Sequence, residues 1–245
     1  MVSLLLLLEV LPLIGVVPER YLPRFSSMMA ALGELVTTGE FWQALFATLR
    51  GWAIGLGIAS IAGLALGFII GVIEPLRAAT SLVIEFLRPI PSVALIPIAI
   101  LIFGTDMRST LMLVIYSAFW QVLVQAIYGI KDVDPVAIET SRSYRFSLIR
   151  HVRMVLLPSG LPYVITGFRL AAGVALILEI TGELIIGSPG IGRMIVLANS
   201  ANRVAEVYGL VIVAALMGVV VNVVLRAAER RVLRWHPAMR REAAK

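Results

Sequence analysis

The chain has 245 residues, of which 60% are hydrophobic and 15% charged; its net charge is +6 and it contains no cysteine. A mean hydropathy of +0.96 excludes a normally solvated globular surface, and the missing thiols exclude disulfides and thiolate chemistry. The positive charge is spread unevenly, which points to membrane topology and anionic lipid rather than to nucleic acid.

Residues 2–17 form a short apolar run with Glu9 in its middle. No basic stretch precedes the run and no small-x-small site follows it, so it is expected to be a first membrane span rather than a signal peptide. The segment 18–42 follows, with an interfacial helix expected over 26–38. Residues 51–73 carry no charge and exceed the roughly 20 residues that cross a hydrocarbon core as a helix. Within them Gly55, Ala59, Gly63, Gly67 and Gly71 recur every four residues. Such a small-residue face lets two backbones approach in lipid; it serves bundle packing or a sliding contact in a conformational cycle. A third span is expected to begin near Leu82, to accept Glu85 and Arg88 at one end, and to continue through the uncharged, proline-punctuated run 89–105. Residues 109–130 make an uncharged fourth span. The fifth, 162–186, is apolar apart from Arg169, Glu179 and Glu183, and the sixth is 207–225. The expectation is an all-α membrane protein with six transmembrane helices in one domain over 1–245.

Basic residues set the orientation. The segment 131–153 holds Lys131, Arg142, Arg145, Arg150 and Arg153, and the tail holds Arg226, Arg230, Arg231, Arg234, Arg240, Arg241 and Lys245. The two regions lie two spans apart, so they share a side, and the excess of Lys and Arg makes that side cytoplasmic. The segments 18–42, 104–108 and 187–206 fall outside, and both termini fall inside.

The segment 134–158 is a basic, amphipathic interruption between two apolar runs. Asp134 is expected to cap a helix whose first residue is Pro135. Pro158 is expected to end the element, with 159–162 turning the chain back into the membrane. Two roles fit such a segment: a surface gripped by a soluble partner, or an amphipathic helix lying on the anionic leaflet.

Glu139-Thr140-Ser141-Arg142-Ser143-Tyr144-Arg145-Phe146, followed by Val155-Leu-Leu-Pro158, resembles the cytoplasmic "EAA" loop of the inner-membrane permeases of ATP-binding-cassette (ABC) importers. Phe86-Leu-Arg-Pro-Ile-Pro-Ser-Val-Ala-Leu-Ile-Pro97 is similar to the start of the third span in the nitrate/sulfonate/taurine branch of that family. So are Thr166-Gly-Phe-Arg169, Glu183 with Gly187-Ser-Pro-Gly-Ile-Gly192, and the terminal Glu-Arg-Arg-Val-Leu-Arg-Trp235. The resemblance covers nearly the whole chain. It implies a type I ABC importer permease fold and a multi-pass subunit of a prokaryotic plasma (inner) membrane. It also implies a homodimer on two ATPase subunits, fed by an extracytoplasmic substrate-binding protein. The loop 131–161 carries a coupling helix into each ATPase, with Glu139 to Phe146 and Pro158 as its contact residues. No Gly-x-x-x-x-Gly-Lys-Ser/Thr loop occurs in the chain. It therefore cannot bind ATP in that way itself, and the resemblance implies that this chain binds no cofactor and that ATP and Mg belong to the partner ATPase. Two positions depart from the family: Thr140-Ser141 replaces Ala-Ala, and Arg145 replaces a glycine. A left-handed turn at Arg145 costs roughly 1–2 kcal/mol. The turn therefore uses ordinary dihedrals, or an ATPase contact compensates.

Glu179 and Glu183 share a helix face, with Arg169 about three turns earlier. They line a translocation pathway, or they form structural ion pairs and interfacial carboxylates. An enzyme would need a catalytic cluster, but His151 and His236 lie on the cytoplasmic side and the two glutamates have no metal-binding partner at suitable spacing. A stand-alone secondary transporter or channel is the alternative class; it predicts no ATPase and an internal repeat, and the sequence shows no repeat. The solute is sulfonate-, nitrate- or organic-anion-like, or a small heterocycle.

Overall fold

Helix boundaries in this chain follow its capping residues and its prolines. A computed structural model describes residues 9–15 and 17–234. Residues 2–8 and 16 of the expected first span lie outside the described residues, as do Trp235, His236, Arg240, Arg241 and Lys245. Every regular element among the described residues is helical.

Helix α1 (Phe25–Val36) is tied to the chain before it by Glu9, which accepts the Ser26 amide at 3.0 Å and hydroxyl at 2.8 Å. Thr38 caps α2 (Gly39–Val72) by accepting from the Phe41 amide. The 34 residues of α2 extend about 50 Å and overrun a bilayer core of about 30 Å. Helix α3 (Glu74–Leu87) begins at once, with a proline in its first turn. Pro89 and Pro91 then remove two backbone donors, and the ladder cannot run through. A 3₁₀ turn (Ser92–Leu95) leads into α4 (Ile96–Phe103), at 81° to α3. The third span is therefore a broken helix starting at Glu74, not one helix starting near Leu82.

Asp106 caps α5 (Met107–Lys131), accepting the Met107 amide at 2.7 Å. Helix α6 (Pro135–Ser143) and the single turn α7 (Leu148–His151) follow. A π-helical stretch (Val152–Leu156) joins α7 directly to α8 (Leu157–Ile186). Pro158 does not end the element, contrary to the expectation from sequence. The wider π turn precedes the position where the proline lacks an amide, so the helix absorbs it. The actual break comes at residues 144–147. Helices α9 (Ile191–Ser200) and α10 (Val204–Val232) complete the fold. Among the described residues, four helical segments are long and apolar enough to cross a membrane: α2, α5, α10 and the run containing α8. The bent α3–α4 pair passes the same test when its two helices are taken together as one broken span, which brings the number to five.

Helix α5 sits between α2 and α8. The glycine face of α2 lies on it, with Gly55 against Val114, Gly63 against Val122, Gly67 against Ala126 and Gly71 against Ile130. The pairs advance in step, so α2 and α5 run parallel. On the other side Gly129 meets Gly160 and Thr110 meets Gly182, so α8 runs antiparallel. Leu56, Leu113, Ala118, Ala171 and Ala175 fill the core between the three. The Trp52 indole donates to the Ala172 carbonyl at 2.9 Å and ties α2 to α8.

Candidate functional site

The loop between α5 and α8 is built to present a surface. Asp134 caps α6 through the Val136 amide at 2.8 Å, and Pro135 opens the helix. At its other end the Arg145 amide donates to the Arg142 carbonyl and the Phe146 amide to the Ser141 carbonyl. This is the paired closure of a helix by a left-handed residue, usually glycine. Arg145 takes that conformation, with φ of 50°, so ordinary dihedrals are not the answer there.

Ser141 compensates locally. Its hydroxyl, 3% exposed, donates to the Ile138 carbonyl and lies 2.7 Å from His151 Nδ1. Its one proton is given to the carbonyl, so it accepts from the imidazole N–H. An alanine could not tie α6 to α7 in this way. The Arg150 guanidinium stacks 4.4 Å from the centre of the Phe146 ring. Around this frame Glu139, Thr140, Arg142, Ser143 and Arg145 are exposed. So are the large apolar side chains Val136 (67%), Tyr144 (75%), Leu148 (75%) and Ile149 (79%). Pro158 is half-buried at the start of α8.

The three ionisable residues of α8 face inward. The Arg169 guanidinium pairs with Glu229 of α10 at 2.7 Å, a partner sixty residues away that no local pattern indicates. Glu179 is buried against Gly51 of α2, where even a Cβ would overlap its carboxylate. Glu183 is fully buried and accepts the Gly192 amide at 2.8 Å. Thr48 of α2 accepts the neighbouring Ile191 amide at 3.0 Å. Two side chains from other helices thus cap the first turn of α9, whose own N-cap Gly190 has no side chain to do so. One oxygen of each glutamate has no hydrogen-bond partner among the described residues. Sequence reasoning missed α9, although Ile191, Met194, Ile195 and Ala198 recur at helical spacing.

A buried seam of small residues, a broken third span and an exposed amphipathic loop together describe a membrane transport subunit. The family model for the binding-protein-dependent transport system inner membrane component matches residues 63–235, and the chain belongs to that family. It resembles a Bacillus subtilis (strain 168) protein named for aliphatic sulfonates transport, SsuC, at 30% identity over 226 residues, 91% of this chain and 80% of that one. The taurine transport system permease protein TauC of Escherichia coli (strain K12) is 29% identical over 89% of this chain and 79% of its own length. The nitrate import permease protein NrtB of Leptolyngbya laminosa is 29% identical over 82% and 72%. In fold the chain resembles an inward-facing MetNI methionine ABC transporter (TM-score 0.65, 18% identity, 79% of this chain and 94% of that one). An amino acid ABC transporter crystallised with histidines is similar too (TM-score 0.68, 20% identity, 82% and 97%). The chain is accordingly a multi-pass inner-membrane permease subunit of a binding-protein-dependent ABC importer, and not an enzyme.

Proposed function

We propose that the chain forms a homodimer of six-helix subunits, with both termini cytoplasmic, on two ATPase subunits that bind ATP and Mg. An extracytoplasmic binding protein delivers the solute. The loop 134–158 is the coupling element, with Glu139 to Phe146 as its contact face and Pro158 at its junction with α8. The observation that carries this reading is the cluster of exposed apolar side chains at 136, 144, 148 and 149 among charged ones, a surface that gains stability only when covered. Arg169, Glu179 and Glu183 belong to the moving interior of α8: closed against α10, α2 and α9 in this conformation, they change exposure when the loop is displaced. The names of the relatives support a sulfonate, nitrate or similar small anion as solute.

Glu139→Lys and Tyr144→Asp should uncouple ATP hydrolysis from uptake in reconstituted vesicles while leaving membrane insertion intact. Unchanged coupling in both variants would refute the assignment of the loop. Single cysteines at 176, 179, 180 and 183, in a chain with no native cysteine, should change reactivity toward a water-soluble thiol reagent when ATP is trapped. Positions unreactive in both states would make α8 a packing element only.

A further inference from the structure

A cavity of about 490 Å³ opens between α3 and α5, lined in part by Arg77, Ser81, Glu85 and Arg88 from α3 and by Gln121 and Tyr128 from α5. Its volume lies within the roughly 300–1,000 Å³ of small-molecule sites. The α3 residues recur at helical spacing and share a face, while Leu76 and Leu87 pack toward Trp120 and Leu123. Tyr116 donates to the Leu87 carbonyl at 2.7 Å and pins the end of α3 to α5.

Three observations give this groove a role. First, Gln121 lies ten residues before Lys131, the end of α5, or about 15 Å along the axis. That is close to the middle of a hydrocarbon core about 30 Å thick. Second, Glu85 and Arg88, next to the Leu87 carbonyl that Tyr116 holds about 22 Å from Lys131 and so still within that core, are exposed and form no ion pair among the described residues. Ionisable side chains at membrane depth face a water-filled cavity or a partner rather than lipid. Third, the break at Pro89 and Pro91 opens beside the groove, and irregular backbone is tolerated at that depth where it lines such a cavity. Arg77 is already engaged, donating to the Gly71 carbonyl at 3.0 Å and facing Glu74 at 3.7 Å. Of the two groove arginines, Arg88 is the one without an ion-pair partner among the described residues.

We propose that the groove is a transit site for a small oxyanion of the sulfonate or carboxylate class. The Arg88 guanidinium holds the anion with the Gln121 amide as a neutral donor on the same wall, and the Tyr128 hydroxyl lies further along α5, toward Arg77. Arg77 meets the anion nearer the loop end of the bundle. Glu85, one turn from Arg88, keeps the grip weak, because a conduction site must release what it binds. A neutral heterocycle would leave Arg88 unanswered. As a step of transport the site rests on the importer reading; as a binding site it is separable from it.

The test uses the full chain assembled with its ATPase in lipid nanodiscs, without binding protein. Saturation-transfer NMR follows the methyl protons of methanesulfonate, with dimethyl sulfone as the uncharged counterpart. Methanesulfonate should bind and dimethyl sulfone should not. Arg88→Gln should weaken binding by about tenfold or more, as expected for loss of a charge-assisted bond, with Arg77→Gln weaker in effect. Glu85→Gln should tighten binding, a gain that misfolding cannot produce. Equal binding of dimethyl sulfone, unaltered affinity in Arg88→Gln, or loss of binding in Glu85→Gln would overturn the proposal. ATPase assembly is scored separately: a chain that binds methanesulfonate but recruits no ATPase keeps the site and sinks the importer reading.

Discussion

Along the seam of α2 and α5, Gly63 and Gly67 bring two helices into backbone contact and are themselves buried. Around the turn from α6 to α7, four large apolar side chains stand in the open. The seam is complete within one chain, since its stabilisation comes from close packing that lipid cannot replace. The loop is held internally at its frame, by Asp134, Ser141, His151 and the Arg150–Phe146 stack, and leaves its outer face unanswered. Substitutions in the seam should therefore act on folding, and substitutions on the outer face of the loop should act on coupling.

The largest effect is expected at Gly67. A Cβ there would lie 2.6 Å from the Ala126 Cβ and 2.8 Å from the Leu123 carbonyl oxygen, and backbone cannot give way cheaply. Gly67→Leu should cost more than the roughly 1–3 kcal/mol usual for overpacking and leave little folded chain in a detergent unfolding assay. Gly57 on the same helix faces open space, so Gly57→Leu should stay within about 0.5 kcal/mol of the parent. Equal damage at both sites would mean that α2 does not dock on α5 through this face.

A smaller loss is expected at the pair joining α8 to α10. Arg169→Ala strands Glu229 in a largely buried position and should cost about 3 kcal/mol, the low end for a broken buried pair. The double variant Arg169→Met, Glu229→Met should recover most of it. Failure to recover would assign Arg169 a role beyond its partner. Smallest of all is Arg145→Gly, which relieves the left-handed residue and should stabilise the turn by about 1 kcal/mol, seen as slower exchange of the Phe146 amide. If transport falls while the turn tightens, the arginine is there for its contact rather than its conformation.

Local signals were legible in the sequence. Asp134 followed by Pro135 marked the start of α6 because a cap and a preset φ act within one turn. The four-residue recurrence of small side chains marked the face of α2 that meets α5. What stayed hidden depends on distant partners or on helix geometry. Nothing near Arg169 indicates Glu229, and nothing near Gly190 indicates that Thr48 and Glu183 close its helix. Pro158 looked like a terminator because the π turn that accommodates it has no compositional signature. The prolines at 89 and 91 were visible, but the sharp bend they produce, and the groove beside it, emerge only when α3 lies against α5.

The junction at Val152–Leu156 makes α7, the last turn of the loop, and α8 one continuous rod. Beyond it α8 runs for 30 residues, about 45 Å, and near its far end Glu183 holds the first turn of α9. A tilt of about 5° at the junction would carry that end sideways by roughly 4 Å over such a length, more than a hydrogen bond can stretch. With the loop as the coupling element proposed above, this rod would act as a lever whose short arm is α7 and whose long arm ends on a latch. Pressing that handle on one side of the membrane would unfasten α9 on the other.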